Sequence, residues 1–333
     1  MRSLWRRSLP YSHRSRAKEA QATLCSKRMC AMELYNYLPI DFRAQIASTD
    51  LKSAEEIRIR VGQPLEIVYG DGETKKYGVL NGEQLREMLN YLSGYSVYAL
   101  EEELRQGFFT VEGGHRVGVS GRTSYRKKAG YNEMNALLQI NGMNIRIAHE
   151  RKGCATPLLP WICYGESIYH TIFYAPPGVG KTTYLRDTIR CLSTGDDMRR
   201  GLKVGVVDER SEIAACHRGV PQNDLGPRCD VLDNCPKEQG MRMLLRSMSP
   251  EVIAVDELGL PEDFAAVKEI AKCGVAVLAT MHADSQEEVL GRLLENGLTG
   301  ILSRLRLVGI HRQEDGRRIM EVSDGARNRL WRG

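Results

Sequence analysis

The apolar and polar positions change rhythm about halfway along the chain. In the first half, residues 55–73 ("EEIRIRVGQPLEIVYGDGE") read as two short strands around Gly62 and Pro64, followed by a Gly-rich turn. Leu85, Met88, Leu89 and Leu92 recur at helical spacing. Residues 108–122 ("FFTVEGGHRVGVSGR") are two β-rich runs joined by Glu112-Gly113-Gly114, the pattern of a hairpin. These elements predict a small α+β domain over 32–150, ending with "MNIRIAHE". Residues 151–165 carry Gly153, Pro157 and Pro160 with little periodicity and are expected to form a linker.

From 166 to 333, strands and helices alternate. Residues 169–174 suit a strand, and Leu185, Ile189 and Leu192 fall at i, i+4 and i+7 of a helix. "KVGVVDE" (203–209) and "EVIAVDE" (251–257) are short apolar strands that end in acids. Between them Met241, Leu244, Leu245 and Met248 share one helical face. "VAVLATMHADS" (275–285) is a further strand, followed by a Ser285-x-x-Glu288 capping box into a helix of Leu290, Leu293 and Leu294. "RLRLVGI" and "RRIMEV" flank Glu314-Asp315-Gly316 as a hairpin. Bare apolar strands alternating with helices imply an α/β fold, a parallel sheet covered on both faces. Ligands of such sheets sit at the strands' carboxyl ends, where all the polar clusters lie.

The first of these clusters is "FYAPPGVGKTTYL" (173–185). A helix starting here leaves its first N–H groups without intrahelical partners and has partial positive charge at that end. A loop without bulky side chains lets phosphates approach those groups. The pattern is G-x-x-x-x-G-K-[ST], with Ala175 in the first Gly position. Ala175, Pro176, Pro177, Gly178, Val179, Gly180, Lys181, Thr182 and Thr183 are thus the candidate phosphate cradle. Lys181 supplies charge for the β- and γ-phosphates, and the Thr182 hydroxyl is a ligand for Mg²⁺. A chance Gly-Lys-Thr turn would lack the strand before it and the helical pattern after it. The expected fold is therefore a RecA-like P-loop core, and the absence of an Asn-Lys-x-Asp guanine motif points to ATP.

Asp256 ends an apolar strand and is placed to hold the Mg²⁺ shell. Glu257 follows it as the candidate general base, needed because water is a poor nucleophile at neutral pH. Thr280 and His282 end the next strand, where a polar side chain can contact the γ-phosphate. Asp208, Glu209 and Glu212 in "VVDERSEI" read, on the residues alone, as a solvated acidic turn.

Composition bounds the rest. With 27% charged and 42% hydrophobic residues the chain is of ordinary globular type. No run approaches the roughly 18 apolar residues that suggest a membrane span. The net charge of +5 is uneven: residues 1–31 hold eight basic residues and one acid, +7 in all, which leaves the remainder at −2. That basic stretch is expected to be a disordered extension or to lie before the true start at Met32. Attachment to nucleic acid or an anionic membrane, or a transit peptide, are the other readings of it. Nine cysteines are scattered without a C-x-x-C. Cys216-His217 with Cys229 and Cys235 are too irregular for a zinc site, so reduced thiols in a cytoplasm are expected.

From Leu202 to Leu294 the motif series resembles the secretion ATPases of type II secretion and type IV pilus machines. "VVDERSE" sits at their acidic box, "LLRSMSPEVIAVDE" at the lead into the Walker B strand, and "VAVLATMHADS" with Arg292 at their His box. "IRIRVGQPLEI" and "HRVGVSGR" resemble segments of their N-terminal domain. Closer still is the resemblance to the stage III sporulation AA family of endospore-forming bacteria, from about Met32 to the C-terminus, carried by those motifs with "PPGVGKTTYLRD" and "RSMSPEVIAVDE". The resemblance implies Glu209 and Glu212 as metal- or water-organising acids and His282 as a γ-phosphate sensor. It also implies a hexamer with ATP between subunits, approached by Arg116, Arg122 and Arg146 of a neighbour. It further implies a cytoplasmic motor on the mother-cell side, docked through membrane proteins of a sporulation channel or secretion complex. Two departures stand out: Asp256 replaces a usual Gly, and Leu258-Gly259-Leu260 replaces the usual Arg segment after the Glu. A nucleic-acid-dependent ATPase and a nucleotide-gated scaffold with little turnover are the alternatives. No aromatic-plus-basic groove pattern is visible, so nucleic acid is not expected.

Overall fold

The computed structural model describes residues 34–46, 51, 53–96, 100–105, 107–128, 131–313 and 316–333. The expected disordered tail over 1–31 and the Glu314-Asp315 turn lie outside the described residues. The chain forms two compact units that divide between Ala148 and His149.

The first unit is built on a six-stranded sheet: β1 (Ala54–Arg60), β2 (Pro64–Tyr69), β3 (Thr74–Val79), β4 (Phe108–Val111), β5 (His115–Lys128) and β6 (Tyr131–Arg146). The strand order is β3-β2-β1-β6-β5-β4, and all neighbours are antiparallel. Ile57 and Ile59 of β1 and Leu65 and Ile67 of β2 face the core, as the alternation of one half-buried sheet requires. Helix α1 (Gly82–Leu92) buries Leu85, Met88, Leu89 and Leu92 in the same core. Asn81 starts the helix by a reciprocal cap. Its Oδ1 accepts the N–H groups of Glu83 and Gln84, and Gln84 Oε1 accepts the N–H of Asn81. The long β5–β6 pairing extends well beyond the hairpin expected at 108–122 and reaches the "MNIRIAHE" run.

The second unit carries an eight-stranded sheet. Its strands are β7 (His170–Ala175), β8 (Val204–Asp208), β9 (Cys229–Asp233), β10 (Val252–Val255), β11 (Ala276–His282), β12 (Leu305–Arg312), β13 (Arg318–Asp324) and β14 (Arg329–Arg332). They lie in the order β9-β8-β10-β11-β7-β12-β13-β14. The first six are parallel, and β13 and β14 extend the sheet antiparallel. Helices α2 (Lys181–Thr194), α3 (Lys237–Ser247), α4 (Pro261–Lys272) and α5 (Gln286–Glu295) bury the sheet on both faces. Phe173 joins the core shared with Leu185, Ile189 and Leu192 of α2. Its neighbours Ile172 and Tyr174 join the opposite core, with Met241 of α3, Phe264 of α4 and Leu293 of α5. Two-sided burial is why these strands are apolar without interruption. Among the described residues no helix is long and apolar enough to cross a membrane.

Several local expectations need correction. Residues 151–165 do not hang between the units as a linker. They fold into the second one through a short 3-10 turn, Thr156–Leu158, and a helix, Leu159–Ile162, and bury Ala155, Leu158 and Ile162 in the core of α2. Met248 and Leu294 are exposed rather than core, because Met248 already stands in the C-cap position of α3. At α5, Ser285 Oγ accepts the Glu288 N–H at 3.3 Å, while Glu288 Oε2 takes the N–H of Asp284 instead of Ser285. The cap is therefore open on one side.

Phe173 is fully buried two residues before Ala175, where the candidate phosphate cradle begins. Phe173→Ala should cost about 3–5 kcal/mol of unfolding free energy, read as a lowered urea midpoint with an unchanged denaturant slope.

Candidate functional site

The loop motif leaves the carboxyl end of β7 and enters α2 at Lys181. Gly178 has φ +76° and Gly180 has φ +109°, conformations that disfavour any side chain. Ala175 needs no such freedom, since it is the last residue of the extended strand. This explains how alanine fits the first glycine position. Gly180 caps α2 without a side chain, so the helix's leading N–H groups are presented bare.

Lys181 is almost wholly buried. Its Nζ donates to the carbonyls of Ala175 at 2.8 Å and Pro176 at 3.0 Å, and to His282 Nδ1 at 2.9 Å. Burial holds its pKa below the usual lysine range, opposed by the charges of Asp256 and Glu257. An ammonium has no lone pair, so His282 Nδ1 accepts and the imidazole proton sits on Nε2. That nitrogen lies 3.4 Å from Glu257 Oε1.

Thr182 and Asp256 meet directly: the Thr182 hydroxyl donates to Asp256 Oδ2 at 2.9 Å. The other carboxylate oxygen, Oδ1, accepts the hydroxyl of Thr280. Thr280 is fully buried at the end of β11, and its Oγ1 accepts the Glu257 N–H at 2.8 Å. Thr280 was expected among the phosphate contacts; the structure instead engages its hydroxyl with Asp256 and Glu257. Glu257 has φ +55°, a strained conformation for a residue with a Cβ. Its carboxylate is held by Arg210 Nη1 at 3.0 Å.

The acidic segment after β8 divides its work. Asp208, which was not a candidate, is buried and accepts the N–H groups of Glu212 at 2.8 Å, Ile213 at 3.0 Å and Ala214 at 2.7 Å. Burial raises its pKa to about 6 despite those three donors, and the nearby Asp233 adds to the rise. Glu209 is tied to Lys237 of α3 rather than to the Lys181 cluster. The Glu212 side chain is exposed, while its carbonyl accepts Arg186 Nη2 at 2.6 Å. Arg186 also donates to the Ile213 carbonyl at 2.8 Å, so α2 itself grips the acidic segment. Thr183 lies in the first turn of α2, with its N–H donating to Gly180. Arg116, Arg122 and Arg146 belong to the first unit: Arg116 and Arg146 face each other across β5 and β6, and Arg122 pairs with Gln139.

A glycine loop opening into a helix, with acids at adjacent parallel strand ends, defines a RecA-like P-loop fold of the secretion-ATPase type. Two solved structures share it. The Legionella pneumophila ATPase DotB matches with a TM-score of 0.55 at 20% identity, over 86% of this chain and 80% of that one. The pilus retraction motor PilT, solved with ADP, matches with 0.54 at 16% identity, over 81% and 78%. At such identities the likeness is one of fold. Sequence narrows it further: the family model described as Sporulation stage III, protein AA matches residues 30–326, and the chain belongs to that family. Stage III sporulation protein AA of Bacillus subtilis (strain 168) is 44% identical over 238 residues, 72% of this chain and 76% of that protein.

Asp208 gives a pH test. Its folded pKa lies above the ordinary 3.8, so the native state holds a proton that the unfolded chain has released between about pH 4 and 6. Its contribution is complete below pH 4 and is lost as pH rises through 6. Wild-type stability measured against Asp208→Asn should therefore fall across that window, by an amount on the order of 3 kcal/mol. A difference that does not vary between pH 4 and 6 would contradict this.

Proposed function

We propose that this chain is an ATP hydrolase, a secretion-ATPase-like motor that energises a channel or secretion assembly between mother cell and forespore during sporulation. The observation that carries the reading is the convergence of Lys181 and Thr182 of α2, Asp256 and Glu257 after β10, and His282 of β11, three separate elements, around one loop of bare N–H groups.

The residues fit magnesium and a triphosphate. A hydroxyl and a carboxylate 2.9 Å apart are the hard oxygen donors Mg²⁺ takes, directly or through water. Where a side chain at Gly178 would project there is open space, and the left-handed backbone there keeps the position to glycine. Thr182 and Asp256 would hold the metal, with Gly178 to Thr183 and Lys181 around the phosphates. When bound, the metal neutralises charge that develops on the phosphate oxygens. Glu257 takes the proton of the attacking water, and its backbone turn and the Arg210 and His282 contacts fix where its carboxylate points. His282, between Lys181 and Glu257, links the phosphate-binding charge to the base. Glu209 and Glu212, by family likeness, act as outer organisers of the same water and metal.

The same likeness supports a homo-oligomer, with six copies as the expected number. Arg116, Arg122 and Arg146 of one copy would approach the nucleotide of the next. In related P-loop enzymes such an arginine is worth about 10³–10⁵ in rate. Partners would be membrane proteins of the sporulation channel, with the motor peripheral to the membrane on the mother-cell side. Nucleic acid is not part of this reading.

Glu257→Gln should retain ATP binding and lose about 10²–10⁴ of the turnover, whereas Lys181→Ala should lose binding as well. Steady-state phosphate release and equilibrium titration with ATP read the two effects. Near-normal turnover in Glu257→Gln would overturn the role of the base. Function in sporulation that survives without turnover would favour a nucleotide-gated scaffold.

A further inference from the structure

Arg318 reaches the glycine loop from the other side of β7. In the sheet, β10 and β11, which bring Asp256 and Thr280, lie on one side of β7; β12 and β13 lie on the other. Arg318 is the first residue of β13, and its Nε donates to the Val179 carbonyl at 2.7 Å. The guanidinium lies against Gly180. A Cβ built there would be 3.4 Å from Arg318 Nε and 3.6 Å from Nη2.

Two features make this more than a structural strut. Among the described residues, no acid is ion-paired with Arg318, although the side chain is partly withdrawn from water. A bond to one carbonyl uses a single N–H of a planar group that carries five, and the rest of the fork has the spacing that phosphate oxygens accept in pairs. The fork also sits beside the residue that caps α2, where the helix presents its unpaired N–H groups.

We propose that Arg318 is a phosphate ligand supplied by the same chain: its Nε–H fixes the loop at Val179 and its remaining N–H groups bind the phosphate chain of the nucleotide. The inference rests on the nucleotide reading above and adds to it a binding residue 137 positions after Lys181 in the sequence.

The test is equilibrium titration of the full chain with MgATP, magnesium pyrophosphate and adenosine, for the wild type and Arg318→Gln. The expected result is affinity about tenfold or more weaker for both phosphate ligands, unchanged binding of adenosine, and a melting temperature of the nucleotide-free protein close to wild type. MgATP and pyrophosphate affinities within twofold of wild type would overturn the proposal. So would an equal loss for adenosine, which marks a distorted pocket rather than a lost phosphate contact. If the wild type itself binds neither phosphate ligand, the nucleotide reading fails and this inference with it. Should Arg318→Gln not fold, Arg318→Lys decides: an ammonium keeps the charge but lacks the planar fork that pairs two phosphate oxygens, so weaker MgATP binding is expected and wild-type affinity overturns the proposal.

Discussion

The Asp256 carboxylate is held between two hydroxyls from different elements, and the geometry of the site follows from that clamp. Thr182 fastens it to the first turn of α2, and Thr280 fastens it to the end of β11. Because Thr280 Oγ1 also accepts the Glu257 N–H, the acid suited to a metal and the acid suited to water are set by one hydroxyl. A carboxylate with both oxygens engaged by short, directional bonds loses most of its rotational freedom. The residue after it must then turn sharply, and Glu257 does so at φ +55°. Strain of this kind persists where the surroundings over-determine it.

Those surroundings are the sheet. Every residue of β10 is buried, and so are all but the last of β11 and all but the first of β7. Three parallel strands with hydrophobic cores on both faces cannot slide by one residue without turning every side chain to the wrong core. The register pairs His282 with Ala175 and Thr280 with Phe173. It therefore delivers the end of β11 alongside the start of the loop, within reach of Lys181. Arg186 and Arg318 complete the frame, one holding the acidic segment after β8 and the other the loop itself.

Most of the second unit was legible because its signals are local. A glycine loop between strand and helix is a run of consecutive residues, and a doubly buried strand is an unbroken apolar run, so 173–185 and 251–257 could be read directly. The contacts that arrange the site are not local. Lys181 meets His282 across 101 residues and Arg318 meets Val179 across 139, and single arginines or histidines at those positions carry no periodic signal. Asp208 was read with its exposed neighbours as an acidic turn, since nothing in "VVDERSE" distinguishes the carboxylate that accepts three N–H groups. Residues 151–165 looked like a linker because Pro157, Pro160 and Gly153 break periodicity, yet Leu158 and Ile162 still find the core. In the first unit, the extension of β5 and β6 rests on cross-strand pairing over a partly exposed ladder, where alternation is weak.

On the function proposed above, Thr182 and Asp256 grip one magnesium ion while Lys181 grips the phosphates it is bound to. A crystal structure of the full chain with magnesium and a non-hydrolysable ATP analogue tests it most directly. The expected result is the metal on the Thr182 oxygen, with Asp256 bound to it or one water away, and Lys181 Nζ released from His282 onto the terminal phosphates. Density for the analogue elsewhere, or a metal that neither Thr182 nor Asp256 approaches, would contradict it.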